Sequence, residues 1–180
     1  EYSMNNQRIV LASRPAAEPT TANFRLEEVA LAPLEDGQVR VKHHYLSLDP
    51  YMRGRMNDAK SYAQPQPLNE TMIGGTVGEV VESRNSKFAV GDKVVGMGGW
   101  QQFSTASGKG DISKVDTTHI PLSAYLGSVG MPGMTAWYGL MKICEPKAGE
   151  TVCVDAASGA VGSVVGQLAK LKGKIGRAHV

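Results

Sequence analysis

Tyr51 and Tyr62 stand close together in the stretch PYMRGRMNDAKSY. Pro50 fixes φ immediately before Tyr51, so that phenol is held in a set direction. A phenol so held can donate a hydrogen bond to a carbonyl oxygen, or give a proton to an oxyanion as it forms. The same two residues also fit a plainer account, amphipathic tyrosines packed at a loop, and taken alone they favour it. A second group is Ala157-Ser158-Gly159-Ala160-Val161-Gly162. Its spacing is that of the Gly-x-Gly-x-x-Gly turn of dinucleotide-binding folds, with Ala in the first place. Gly159 lets the backbone approach a pyrophosphate, and Gly162 lets the next helix pack close to its strand. Free amides at that helix N-terminus favour an anion. A tight strand–helix turn without a ligand uses the same residues.

A third group is GMPGMTAWYGL. Gly130, Pro132 and Gly133 around Met131 predict a helix start with a close backbone approach. Thr135 can offer its hydroxyl to a ligand amide, or Met131 and Trp137 can simply fill a core. Of the histidines, His43 is expected on a core face as a hydrogen-bonded core residue, with His44 and His119 exposed. Cys144 and Cys153 read as buried, inert thiols at a helix end and in mid-strand. No Cys-x-x-Cys or similar cluster is present, so no metal is expected. No Ser–His–Asp or Cys–His arrangement follows from chain order.

These groups need a scaffold. QVRVKHHYLSLD alternates, with Val39, Val41, His43 and Tyr45 on one face and Arg40, Lys42 and His44 on the other. That is the pattern of a half-buried strand. FRLEEVALAPLEDG predicts a strand ended by a turn, and GGTVGEVVES a glycine-punctuated strand. KFAVGDKVVGMGGWQQFSTAS predicts two strands joined at Gly91-Asp92. Residues 57–71 read as a mobile loop. Up to about residue 120 the chain is therefore all-β, its glycines marking the corners of a small barrel. Beyond residue 121 a helical stretch precedes Gly130 and another runs from Pro132 to Ile143. A buried strand follows over Thr151–Ala156. The last predicted helix carries Val161, Val164, Val165, Leu168 and Leu171 on one stripe. Strand, turn and helix make the start of a βαβ unit.

Composition agrees with a globular protein: 42% hydrophobic and 20% charged residues, and a net charge of +2. A near-neutral chain with no basic run argues against nucleic acid or a membrane surface as partner. No apolar run spans a bilayer, no segment reads as a signal peptide, and two cysteines make no disulfide framework. A cytoplasmic location is expected.

Taken in order, GGTVGEVVES aside, YLSLDPYMRGRM, GMPGMTAWYGL and AASGAVGSVVGQLAKLKG closely resemble the zinc-independent medium-chain reductases. The group is that of the prostaglandin reductases, leukotriene B4 12-hydroxydehydrogenases, and curcumin and alkenal/one reductases; GGTVGEVVES fits it too. The resemblance runs from about residue 7 to 173. It implies a mostly β GroES-like barrel followed by an α/β Rossmann domain, with the active site between them. It implies NADPH as hydride donor and no metal. The implied substrate is a small enone or alkenal whose carbon–carbon double bond, conjugated to a ketone or aldehyde, is reduced. Carried over by position, Tyr51 and Tyr62 are the expected catalytic residues lining the substrate cleft. The expected cofactor contacts are Pro50, Met131, Thr135, Ser158, Gly159, Ala160, Val161 and Gly162. Members are often homodimers.

The expected domains are 1–125 for the barrel and 126–174 for the connecting helix and first strand–helix unit of a truncated cofactor domain. Residues 175–180 depart from the pattern. Ile175–Val180 show no strand pattern, and Ile-Gly-Arg-Ala-His-Val is the in-frame translation of a common sequencing-adapter DNA, so they read as a non-native tail. The 180-residue chain by itself is then expected to be inactive. A quinone oxidoreductase of the same fold and a non-catalytic structural or binding member remain the alternative functions.

Overall fold

The computed structural model describes residues 5–173 and 175–178. It divides into two compact units, Glu1–Leu122 and Ser123–Val180.

The first unit is a mostly β structure. Strands β1 (Asn5–Leu11) and β2 (Phe24–Ala30) pair antiparallel from Asn5↔Ala30 to Leu11↔Phe24. A five-stranded antiparallel sheet has the order β6-β3-β4-β5-β7, formed by β3 (Val39–Leu46), β4 (Thr76–Ser83), β5 (Lys93–Gly96), β6 (Phe103–Ala106) and β7 (Ile112–Lys114). This sheet curls into a half-barrel. Bridges Arg8↔Gln101 and Val10↔Thr71 tie the β1–β2 hairpin to it. The sheet core is Val39, Val41, Val80, Val94 and Ala106, flanked by Phe88 and Ile112. Compact β-branched residues on one face of a pleated sheet account for this layer. A second core forms where the short helix α1 (Tyr51–Arg55) meets the hairpin: Leu11, Met52, Met56 and Met72, with Phe24 stacked on Trp100 at 5.5 Å.

Two strand expectations in this unit change. β3 carries register shifts between Arg40 and Val41 and between His43 and Tyr45. Each shift resets the two-residue alternation. The second shift, which leaves His44 as the extra residue of β3, turns Tyr45 to an exposed position; Arg40 stays on the face opposite Val39 and Val41 but is buried there, its guanidinium donating to Thr105 Oγ1 and to the Ala32 carbonyl. The two strands expected around Gly91-Asp92 are instead β5 and β6, separated by Met97–Gln102; Gly91-Asp92 is the turn entering β5. β7 carried too short a pattern to be read.

The second unit contains helix α2 (Met131–Tyr138), a π-helical continuation over Gly139–Cys144, strand β8 (Thr151–Val154), helix α3 (Gly162–Leu171) and strand β9 (Ile175–Ala178). A single turn of 3-10 helix, Leu122–Leu126, precedes α2. β8 and β9 pair in parallel from Thr151↔Ile175 to Val154↔Ala178, with α3 as the crossover. Ile175–Ala178, which carry no strand pattern, thus form a strand. A ladder uses backbone groups, and the end of α3 delivers these residues to an edge of β8. His179 and Val180 lie outside the described residues.

The expected buried strand over Thr151–Ala156 is shorter and more open. Val152 and Val154 are half-buried, and alternation leaves Thr151 and Cys153 exposed on the other face. Cys144 ends the π-helical stretch and is exposed too, so neither thiol is the buried group expected. On α3 the inward line is Gly162, Val165, Leu168 and Ala169, whereas Leu171, placed on the stripe by its spacing, points away and is 83% exposed.

Candidate functional site

In the first unit the chemistry gathers beside α1. Pro50 stands at the N-cap with φ −55°. Met52 and Met56 turn inward to the second core, and Tyr51, at its edge, lines a pocket together with Gly54 and Arg55. The irregular stretch after α1 is tied back by its own polar groups. Arg14 donates to the Met56 carbonyl at 2.8 Å and the Gln66 carbonyl at 3.1 Å. The Gln66 amide N–H donates to the Arg55 carbonyl at 2.7 Å. The buried Gln66 side chain donates to the Thr71 carbonyl and accepts from the Ile73 N–H. These bonds shape a pocket of about 110 Å³ lined by Pro50, Tyr51, Arg55, Asn57, Ser61 and Tyr62, among others.

Both expected tyrosines thus line one pocket, in different states. Tyr51 is half-buried against the second core, and Tyr62 is 90% exposed. Burial pushes the Tyr51 phenol above its ordinary value, and Asp49 adds to the shift. The Arg55 guanidinium, 5.6 Å from the Tyr51 ring centre, and a backbone hydrogen bond from Gly75 pull the other way. A phenol in this state stays protonated at neutral pH and can act as a donor.

His43 is the hydrogen-bonded core histidine the sequence predicts. Its Nε2 lies 2.7 Å from Ser104 Oγ, and burial, with His44 beside it, pushes its pKa down to about 4. Gly98 packs flat against the ring: a Cβ there would stand 1.7 Å from His43 Cε1.

In the second unit the turn after β8 runs over residues 155–161 into α3. Ser158, Gly159, Ala160 and Val161 are exposed. The Gly159 N–H donates to the Ala156 carbonyl at 2.9 Å, and the Ser163 N–H to the Gly159 carbonyl at 2.9 Å. A Cβ on Gly162 would stand 2.4 Å from the Ala156 carbonyl oxygen and 2.9 Å from Ala157 Cα. The helix can approach its strand this closely only with glycine at that position. The arrangement fits a pyrophosphate in shape: Gly162 packs the helix close to its strand, beside an exposed, small-residue loop.

On α2, Met131 and Thr135 are exposed one turn apart, and Thr135 Oγ1 donates to the Met131 carbonyl at 2.8 Å. The hydroxyl hydrogen is therefore engaged within the helix, and the oxygen's lone pairs remain to accept from a ligand N–H. Beside them an open groove of about 340 Å³ is lined by Ser128, Val129, Gly130, Gly133, Met134 and Trp137, which leaves Met131 and Thr135 outside it. Both glycines of the GMPGM stretch are required by space, since a Cβ on Gly130 or Gly133 would collide with the Tyr125 or Ser128 carbonyl.

Sequence reasoning missed Arg55, Asn57 and Ser61 as pocket residues. The available signal was Arg55 itself, one helical turn beyond Tyr51. Among the described residues, no group of three or more His, Cys, Asp or Glu is placed to hold a metal, and no helix is long and apolar enough to cross a membrane.

Residues 7–115 match the family model described as the N-terminal domain of oxidoreductase. The chain belongs to this oxidoreductase family. Within it, the chain groups with the zinc-independent medium-chain reductases that include curcumin and alkenal reductases. It is 49% identical over 173 residues to the NADPH-dependent curcumin reductase of Escherichia coli, covering 96% of this chain and 50% of that protein. It is 40% identical over 174 residues to the NADP(+)-dependent 2-alkenal reductase of Nicotiana tabacum, covering 94% of this chain and 51% of that protein. The crystal structure of CurA from Vibrio vulnificus in complex with NADPH superposes with a TM-score of 0.86 at 48% identity, covering 97% of this chain and 52% of that one. This oxidoreductase chain thus spans about half the length of the relatives it matches, and the mostly β GroES-like fold expected of it is the one observed.

Proposed function

We propose that the full-length protein is an NADPH-dependent reductase of carbon–carbon double bonds conjugated to a ketone or aldehyde. The observation that carries this reading is the pocket beside α1, where a half-buried, protonated Tyr51 phenol meets Tyr62. The curcumin and alkenal reductase relatives support the substrate class and the cofactor. Bound NADPH would supply the hydride for the β-carbon. The chain's own part is to hold and donate. Ser158, Gly159, Ala160, Val161 and Gly162 would surround the pyrophosphate as a small-residue turn, with Gly159 allowing the close approach. Thr135 would accept from a carboxamide N–H beside Met131, and Pro50 would keep Tyr51 in place at the pocket wall. Tyr51 would donate its phenol hydrogen bond to the substrate carbonyl oxygen as negative charge develops there, with Tyr62 as the second phenol. Stabilising that oxygen needs no metal when donors are already in position.

In this reading residues 1–125 form the substrate domain, and 126–174 begin the cofactor domain. The 180-residue chain alone is expected not to turn over, since its cofactor turn rests on the two-stranded β8–β9 sheet.

The test is NADPH oxidation by the full-length protein with an enone, with a quinone and with neither. Enone-dependent oxidation is expected. Tyr51→Phe is expected to lower kcat/KM for the enone by about 100-fold, the scale of losing one oxyanion donor. Oxidation driven by the quinone alone, or an unchanged Tyr51→Phe variant, would overturn the assignment. Because the folded environment raises the Tyr51 pKa above its ordinary value of 10.0, activity lost to phenol ionisation should disappear only above pH 10.

A further inference from the structure

Tyr51 and Arg55 stand at either end of α1, at the i and i+4 spacing that brings helical side chains together. The guanidinium carbon of Arg55 lies 5.6 Å from the centre of the Tyr51 ring. Among the described residues half-buried Arg55 makes no salt bridge or side-chain hydrogen bond, and its Nε is buried without a partner. The other arginine of this helix is engaged elsewhere, since Arg53 donates to Asn57 Oδ1 and to the Ala17 carbonyl. A planar, weakly hydrated guanidinium packs well on an aromatic face and is attracted by the negative charge of that face. The Tyr51 ring is therefore the partner that folding gives Arg55. The contact also completes the setting of Tyr51. Its ring packs at the edge of the second core, and its oxygen takes a backbone hydrogen bond from Gly75, so its own hydrogen stays free to be donated.

We propose that Arg55 is a positioning residue: its guanidinium, seated on the Tyr51 ring, holds that ring in the pocket wall and strengthens the phenol as a donor. This rests on the reductase reading for its effect on the reaction, but not for the contact itself. As negative charge develops on the substrate oxygen, the phenol hydrogen is drawn toward it and the phenol oxygen gains electron density. A cation fixed beside the ring stabilises that density. It also opposes Asp49, whose carboxylate acts on the phenol in the other sense. The help grows from the bound substrate to the transition state, so it belongs to kcat rather than to KM. Arg55 does this through Tyr51 and need not touch the substrate. Lysine keeps the charge but loses the flat face that lies against the ring.

The experiment has two arms. In the full-length protein, Arg55→Gln is expected to lower kcat with an enone about tenfold and to leave KM within about twofold. Arg55→Lys should recover part of the loss. Tyr51→Phe keeps the ring and removes the hydroxyl, so adding Arg55→Gln to it should cost less than about twofold more. A full loss from Arg55→Gln in the Tyr51→Phe background means that Arg55 acts on the substrate or the fold directly, and it overturns the proposal. So does an Arg55→Lys variant no better than Arg55→Gln. In the 180-residue chain, carbon-13 relaxation reads the order of the Tyr51 ring, and far-ultraviolet circular dichroism confirms that each variant is folded. Arg55→Gln should loosen the ring, whereas Arg53→Gln, which removes a charge from the same helix, should not. An unchanged ring in a folded Arg55→Gln chain overturns the proposal as well. A full-length protein that oxidises NADPH with no enone, while Arg55→Gln still loosens the ring, would sink the reductase reading and leave the seat of Tyr51 on Arg55 standing.

Discussion

His43 shows how far a single buried group can set the acid sensitivity of this protein. Its ring is held by Ser104 and pressed by Gly98, and its pKa falls from 6.5 to about 4. The folded state therefore resists protonation where the unfolded chain accepts it. Stability from His43 is complete above about pH 6.5, drains away as the pH falls, and levels off below about 4. Between pH 7 and pH 5 the loss should be about 2 kcal/mol. Carboxylates held low by partners, such as Glu27 and Glu79, titrate beneath this window. Urea unfolding followed at both pH values measures the difference, and His43→Gln should flatten it. An imidazole that titrates near 6.5 by NMR in the folded chain would defeat the argument. The core role of His43 was readable from its alternating neighbours. The burial of Arg40 was not, because alternation puts it on the polar face and only the fold brings Thr105 and the Ala32 carbonyl over its guanidinium. Arg55 escaped notice for a different reason: its spacing of one helical turn from Tyr51 was readable, but that α1 turns both side chains toward one pocket was not.

At the scale of elements, two glycines of one helix separate packing from propensity. Gly162 sits where α3 meets the end of β8, and an added methyl would strike the Ala156 carbonyl. Gly166 has nothing within 4 Å of the same methyl. Gly162→Ala must therefore push the helix off its strand, at a cost of about 1–3 kcal/mol. Gly166→Ala should instead stabilise α3 by about 0.5–1 kcal/mol, since alanine is the better helix former. Chemical denaturation of the two variants reads both signs, and a neutral Gly162→Ala would show that the strand–helix contact is looser than its geometry. The turn was legible because glycine spacing encodes this approach directly. The end of α3 was not. Leu171 fits the stripe by its spacing, but no described element covers it. Likewise, Ile175–Ala178 lack the apolar alternation of a strand and still pair with β8, because a backbone ladder needs an edge more than a side-chain pattern.

For the whole molecule, the two units differ sharply in what they bury. The first holds two clusters of large side chains, around Val39, Val80 and Val94 and around Leu11, Met52 and Met72. In the second, the buried apolar side chains among the described residues are Pro132, Ala136, Leu140 and Ala169, while Met131, Met134, Tyr138, Ile143 and Leu171 are exposed. Hydrophobic stabilisation scales with the apolar area removed from water, so the second unit should unfold first. The chain supplies its own reporters, because Trp100 stacks on Phe24 in the first unit and Trp137 stands on α2 in the second. With Trp137→Phe, tryptophan fluorescence reports the first unit alone; with Trp100→Phe, it reports the second. The Trp137 signal should change at a lower urea concentration than the Trp100 signal. A chain ending at Leu122 should keep the Trp100 midpoint within error, because both large clusters lie inside it. Coincident transitions for the two reporters, together with a lower Trp100 midpoint in the shortened chain, would show instead that the units fold as one cooperative body.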